Sequence, residues 1–159
     1  MTDSPEMLGA LAEHHVEYII VGGAAATAHG AVRLTHLDIV YRRTRENIVR
    51  LAASLTTHQP YLRGAPPGLP FRWDAETVQR GLNFTLATDL GPLDVLGEIA
   101  GGGGYDALLP HSQALSLFGV ECRCISLEQL IIVKRAAGRP KDLEALAELE
   151  AIAEERRNV

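Results

Sequence analysis

A chain of 159 residues, 47% hydrophobic and 22% charged, has the make-up of one soluble globular domain, long enough to bury about two-thirds of its unfolded surface. A net charge of −5 argues against broad, non-specific binding to duplex DNA, and no apolar run approaches the ~20 residues that cross a bilayer. The opening stretch, MTDSPEMLGALAEHH, carries acids and no basic segment, so no secretory signal and a cytoplasmic location are expected.

Ser4-Pro5-Glu6 supplies an N-cap, a first-turn proline and a first-turn acid, which predicts a helix through about His14. Glu17 to Val21 is a nearly unbroken apolar run, the signature of a strand covered on both faces. It stops at Gly22-Gly23, after which Ala24 to His29 is helical by alanine content, with Gly30 as the residue that ends it. Leu37 to Tyr41 (LDIVY) is a second strand. Thr44 caps the next helix, whose apolar positions Ile48, Leu51, Ala52 and Leu55 keep helical spacing. Residues 58–70 hold four prolines and two glycines and are expected to be mostly loop.

Asp74 to Thr77 opens one or two helical turns. Two strands, Asn83 to Thr88 and Pro92 to Leu96, are then joined as a hairpin through Asp89-Leu90-Gly91. Gly101 to Gly104 forms a four-glycine loop, and Leu115 to Ile125 forms a strand pair about Phe118-Gly119. Ser126-Leu-Glu-Gln129 is a capping-box pattern that opens a helix through Ala137; Gly138 ends it, and Pro140 restarts a helix to about Arg157. This order predicts a single α+β domain over 1–159: a small mixed sheet with flanking helices (1–125) followed by a C-terminal helical pair (126–159).

Three groups of residues could carry chemistry. Strand, Gly22-Gly23 and helix is a layout in which free backbone N–H groups can hold a phosphate. Asp38 stands in an otherwise apolar strand, where a bare carboxylate is costly unless it is paired, metal-bound or facing a cleft, and Asp94 repeats the pattern in PLDVL. Two such acids after a Gly-Gly turn suggest a divalent-metal and triphosphate site. Lys134, Arg135, Arg139, Lys141 and Asp142 cluster where one helix ends and the next begins; the cations suit either the helix dipole or phosphate oxygens, and Asp142 suits a helix start. Neither a dinucleotide fingerprint nor a P-loop is present, and nothing matches a nucleophile elbow. His29 and His36 are possible metal ligands, although a histidine near a turn is more often a surface or hydrogen-bonding residue. Cys122 and Cys124 stand too close together for a relaxed disulfide and are expected reduced.

VGGAAATAHGAVRLTHLDIV resembles motif I of the nucleotidyltransferase superfamily, in its bacterial minimal and AbiEii-toxin-like branch: GG-x-A, then HG-x-x-R-x-T, then an Asp-x-Asp pair on the strand. PLDVLGEIAGGGGYDALL resembles the segment carrying the third acid, and ISLEQLIIVKRAAGRPKDLEAL the C-terminal helical signature. The likeness runs from about Tyr18 to Leu149. One departure stands out: matching Arg33 and Thr35 leaves one residue missing before Leu37, and that residue is the first metal-binding Asp. Asp38 then matches the second acid and Asp94 the third, while His36 falls two residues before Asp38, as a partial substitute that suits Mg²⁺ poorly.

The resemblance implies a polymerase-β-like palm with C-terminal helices and a Mg²⁺- (or Mn²⁺-) dependent transfer of a nucleotide from an NTP. The acceptor would be a tRNA end or a protein, in a toxin–antitoxin setting with an antitoxin as possible partner. It implies metal ligation by Asp38, Asp94 and His36, a catalytic role for Lys134, and nucleotide contacts from Gly22, Gly23, Arg33, Thr35, Arg139 and Lys141. The alternative expectation is a catalytically impaired nucleotide- or partner-binding module of the same fold.

Overall fold

The computed structural model describes residues 2–29 and 36–158; Gly30, Arg33 and Thr35 lie outside them. Among the described residues there are seven α-helices and a mixed seven-stranded sheet, an α+β architecture. No described helix is long and apolar enough to cross a membrane.

Helix α1 (Ser4–Glu13) begins one residue earlier than the Ser4 cap implies: Asp3 is the N-cap, its carboxylate accepting from the Glu6 N–H at 3.2 Å, and Ser4 is buried. Strand β1 (Tyr18–Val21) is buried at every position, as a run covered on both faces should be. Helix α2 (Gly22–Ala28) starts at the glycine pair itself. Strand β2 (Leu37–Tyr41) and helix α3 (Arg45–Leu55) follow, the latter capped by Thr44, whose hydroxyl accepts from the Asn47 N–H. Within the proline-rich segment the chain forms a two-residue strand, β3 (Tyr61–Leu62), that its composition does not suggest. Then come α4 (Ala75–Arg80, capped by Asp74), β4 (Phe84–Thr88) and β5 (Gly91–Leu96). The four-glycine loop closes a small ribbon of β6 (Glu98–Ile99) and β7 (Gly103–Gly104). Helix α5 (Tyr105–Leu108), strands β8 (Ser112–Leu117) and β9 (Val120–Ile125), α6 (Leu127–Ala137) and α7 (Pro140–Arg157) complete the chain.

The sheet order is β3-β4-β5-β2-β1-β9-β8. The hairpins β4–β5 and β8–β9 are antiparallel, whereas β5 joins β2 and β9 joins β1 in parallel. The two strands with the most apolar sequence, β1 and β2, are thereby central. One face carries Ile20, Leu37, Ile39, Leu93, Val95, Phe84 and Cys124, all buried. Trp73 stacks edge-on to Phe84 at 5.8 Å and donates its indole N–H to the Ala52 carbonyl of α3, which ties α3 to this face. The opposite face carries Val21, Asp38, Asp94 and Leu96; Leu130 and Val133 of α6 meet Val21 and Leu96 there around a shared cleft. Cys122 and Cys124 are free and buried, and burial pushes the Cys124 thiol up to about 12.

Candidate functional site

The register across three strands assembles the acids. Val21 pairs with Asp38 across the antiparallel β1–β2 ladder, and Asp38 pairs with Asp94 across the parallel β2–β5 ladder. Residues paired in this way share a face, and neighbouring strands lie ~4.8 Å apart. The two carboxylates therefore stand side by side, not on opposite faces of the sheet. Thr85 of β4 continues the row beyond Asp94.

Gly22 is needed where the chain leaves β1. Its φ is +67°, the left-handed region that favours glycine, and a Cβ built on it would fall 2.2 Å from Asp38 Oδ2. The backbone turn and the carboxylate are thus in direct apposition. Asp38 Oδ1 is buried without a hydrogen-bond partner. Burial first, then the negative charge of Asp94, pushes the Asp38 carboxyl up to about 6, against smaller opposing pulls from His36 and Lys134.

Asp38 and Gly22 line a cleft of about 400 Å³ whose other walls include Leu96, Ile99, Lys134 and Arg139. The basic wall is built around Asp142, whose side chain is fully enclosed. Its Oδ1 accepts from Lys134 Nζ at 3.1 Å and its Oδ2 from Arg139 Nε at 2.6 Å. Oδ2 also accepts the Arg139 backbone N–H, closing the start of α7. Burial works against ionising Asp142, yet the bonds and charges of Arg139 and Lys134 outweigh it and hold the carboxyl below the usual range. The triad carries one net positive charge and presents it to the cleft: the Arg139 side chain is 58% exposed and that of Lys134 15%.

Removing Asp142 would leave Lys134 largely enclosed and unpaired. Breaking a fully buried pair costs ~3–5 kcal/mol, and the exposure of Arg139 reduces this. Asp142→Ala is expected to lower the unfolding free energy in urea by about 2 kcal/mol. Arg135→Ala, which removes an ion pair with Glu150 that is 60% and 47% exposed, should cost under about 0.5 kcal/mol. Equal losses from the two variants would contradict the structural weight given to Asp142.

The other expected residues divide clearly. His36 is exposed at the head of β2, close enough for its charge to act on Asp38. Gly23 lies in the first turn of α2, its carbonyl accepting the Thr27 hydroxyl. Lys141 is exposed in the first turn of α7 and is not part of the cleft wall. Arg33 and Thr35 lie outside the described residues. His29 is no metal ligand here: it is buried, its Nε2 bonds the Ile125 carbonyl at 2.7 Å, and its Nδ1 faces Arg156 Nη1 at 3.3 Å. Helix α2 has seven residues and no side-chain cap, so its dipole is a weak anchor for an anion and the cations of the opposite wall carry more of that task.

Composition gave no hint of Arg63. Its backbone N–H donates to the Thr85 carbonyl at 2.9 Å, extending the β3–β4 ladder by one residue, and its Nη2 reaches Asp94 Oδ1 at 2.5 Å. Nη1 donates to the Leu86 carbonyl at 3.1 Å. Only the pairing of a two-residue strand places this arginine over the acid row.

The residues present suit a hard divalent ion of the magnesium type, which is commonly held by one or two carboxylates and completed by water and phosphate oxygens. Asp38 and Asp94 are adjacent, and Asp38 Oδ1 is an orphaned buried acceptor. Among the described residues no group of three His, Cys, Asp or Glu side chains could hold a metal by itself, so an ion there would need oxygens from water or a ligand to complete its coordination. No protein-family model matches the chain, and no curated protein matches it.

Proposed function

We propose that the chain is a Mg²⁺-dependent nucleotidyltransferase and that its sheet is a polymerase-β-like palm. The observation that carries this reading is the in-register pair Asp38–Asp94 on one sheet face, with Asp38 against Gly22 and in the same cleft as Lys134 and Arg139. An acid pair on one side and a cationic wall on the other suits a metal–triphosphate, whose metal turns to carboxylates and whose free oxygens turn to cations. Asp38 and Asp94 would hold Mg²⁺ or Mn²⁺, which when bound neutralises phosphate charge and favours ionisation of an attacking hydroxyl.

The reaction is in-line attack of an acceptor hydroxyl on the α-phosphorus. The new O–Pα bond forms as the Pα–O bond to the β-phosphate breaks, pyrophosphate leaves, and the hydroxyl proton passes to solvent or a carboxylate. Lys134 and Arg139 would orient and neutralise the triphosphate oxygens, and Gly22 lets the backbone approach without a side chain intervening. A tRNA end or a protein hydroxyl is the proposed acceptor, in the cytoplasm, with an antitoxin as a possible partner. One observation favours the alternative of a binding module: the first acid of the resembled motif is absent and Asp94 is already ion-paired.

The test is transfer of label from each of the four α-labelled NTPs, with Mg²⁺ or Mn²⁺, to total tRNA or to lysate protein, with γ-labelled NTP as the control. Transfer of the α label alone, lost in Asp94→Asn, is expected. No transfer from any NTP, with nucleotide binding intact, would favour the module. Inserting an Asp between His36 and Leu37 then asks whether the missing acid is the reason.

A further inference from the structure

The Arg63–Asp94 contact bears on how many metal ions the site takes, and the inference drawn from it rests on the nucleotidyltransferase reading above. Across four strands the backbone pairing puts Arg63, Thr85, Asp94 and Asp38 in one row. The Arg63 side chain crosses β4 to place its guanidinium on Asp94, and both side chains are mostly covered, at 28% and 22% exposed. A guanidinium is permanently charged and holds its donors in a rigid plane, so its second bond to the Leu86 carbonyl fixes where the charge sits.

The engaged oxygen then limits the metal. Asp38 and Asp94 contribute two negative charges and Arg63 one positive, leaving one negative charge at the pair. One divalent ion can sit against Asp38 and the free oxygen of Asp94. A second would be repelled by the fixed guanidinium and would compete with it for an oxygen already engaged at 2.5 Å. We propose that Arg63 is a resident cation of the site, standing in for the second ion of a two-metal centre, so that this chain works with one divalent ion and one guanidinium. The missing acid and Arg63 are then two parts of one arrangement: with one carboxylate fewer than the resembled motif, one cation is supplied by the protein itself.

The experiment counts bound Mn²⁺ by electron paramagnetic resonance on the full chain, with and without inorganic triphosphate, a probe that does not depend on base preference. Wild type is expected to bind one Mn²⁺ per chain in the presence of triphosphate. In Arg63→Ala the two readouts should move in opposite directions. Mn²⁺ alone should bind several-fold tighter because Asp94 is released, and triphosphate at saturating Mn²⁺ should bind about tenfold weaker because a charge-assisted contact is gone. Arg63→Lys keeps the charge and should restore triphosphate affinity to within about threefold; it also serves if the alanine variant does not fold.

Two Mn²⁺ per wild-type chain would overturn the proposal while leaving the nucleotide site standing. So would variants whose metal and triphosphate affinities both stay unchanged or both fall together, the pattern of a purely structural ion pair. A wild-type chain that binds neither Mn²⁺ nor triphosphate would overturn the underlying reading as well.

Discussion

Asp38→Asn is expected to make the ligand-free protein more stable at neutral pH while removing the proposed nucleotidyl transfer. Asp38 is the acid whose ionised form is least welcome: burial and the charge of Asp94 push its carboxyl up to about 6 from an ordinary 3.8, and Oδ1 has no partner. Because the folded value lies above the unfolded one, the contribution of this group is fully present below about pH 4 and is lost as pH rises through about 6. A shift of that size corresponds to a penalty on the order of 3 kcal/mol at neutral pH. Asparagine keeps the shape, carries no charge and can donate to Asp94. Its unfolding free energy at pH 7.5 should exceed that of wild type by about 2 kcal/mol, and it should lack this part of the wild-type decline between pH 4 and 6. Label transfer should fall ~10³-fold or more, as when a site loses several kcal/mol of charge stabilisation. Urea titrations of both proteins at pH 4, 6 and 7.5 read the stability; a variant less stable than wild type at pH 7.5 would show that Asp38 is a structural acid.

The second large effect is expected at Gly22. Gly22→Ala meets two obstacles: a left-handed φ of +67°, worth ~1–3 kcal/mol for a residue with a Cβ, and a contact of 2.2 Å with Asp38 Oδ2. Cγ and Cβ of Asp38 lie at 3.0 and 3.2 Å as well, so turning the carboxylate into the cleft does not clear the contact, and the sum should be about 4 kcal/mol or more. The two terms are separable. Gly119→Ala has a φ of +76° with nothing within 4 Å of the new Cβ, so it should show the backbone term alone, at about 1 kcal/mol. In an Asp38→Ala background the contacts with Oδ2 and Cγ are gone and only that with Cβ at 3.2 Å remains, so most of the steric term at Gly22 should be lost, a coupling of about 2 kcal/mol in the double-mutant cycle. A Gly22→Ala cost no larger than that of Gly119→Ala would mean that the close approach of turn and acid does not constrain the chain.

Local signals in the sequence proved sound where one element contains its own instructions. Thr44, Asp74 and Ser126 cap their helices through side-chain bonds to the third residue on, as expected. Gly138 ends α6 in the left-handed conformation. The unbroken apolar run of β1 is central in the sheet, the β8–β9 hairpin turns at Phe118-Gly119, and the β4–β5 hairpin turns at Asp89-Leu90, with Gly91 already paired as the first residue of β5.

What depends on pairing between distant segments was not legible. No pattern in Tyr61-Leu62-Arg63 announces a strand, because a two-residue edge strand has no periodicity to detect; its partner β4 creates it. Asp142 looks in the sequence like a first-turn acid, and it is one, but it is also the enclosed hub of Lys134 and Arg139, a role set by how α6 meets α7. His29 suggested a ligand or, more often, a surface or hydrogen-bonding residue; it is the last of these, and the sequence could not show that its partners lie at the ends of β9 and α7. The acid pair was half legible: each Asp in an apolar strand flagged itself, but their adjacency required the parallel β2–β5 register.

The central claim, that Asp38 and Asp94 together seat a metal–nucleotide, is tested most directly by the melting temperature of wild type and Asp38→Asn at pH 7.5 with each NTP, in the presence of Mg²⁺ or of a chelator. Ligand at ~100 times its dissociation constant stabilises a protein by ~2.7 kcal/mol, or roughly 5–10 °C for a domain of this size. Wild type should rise by that amount with at least one NTP and Mg²⁺ and not with the chelator, while Asp38→Asn should start higher and not move. A wild-type protein indifferent to all four NTPs with Mg²⁺, or a variant that rises by as much as wild type, would contradict the account.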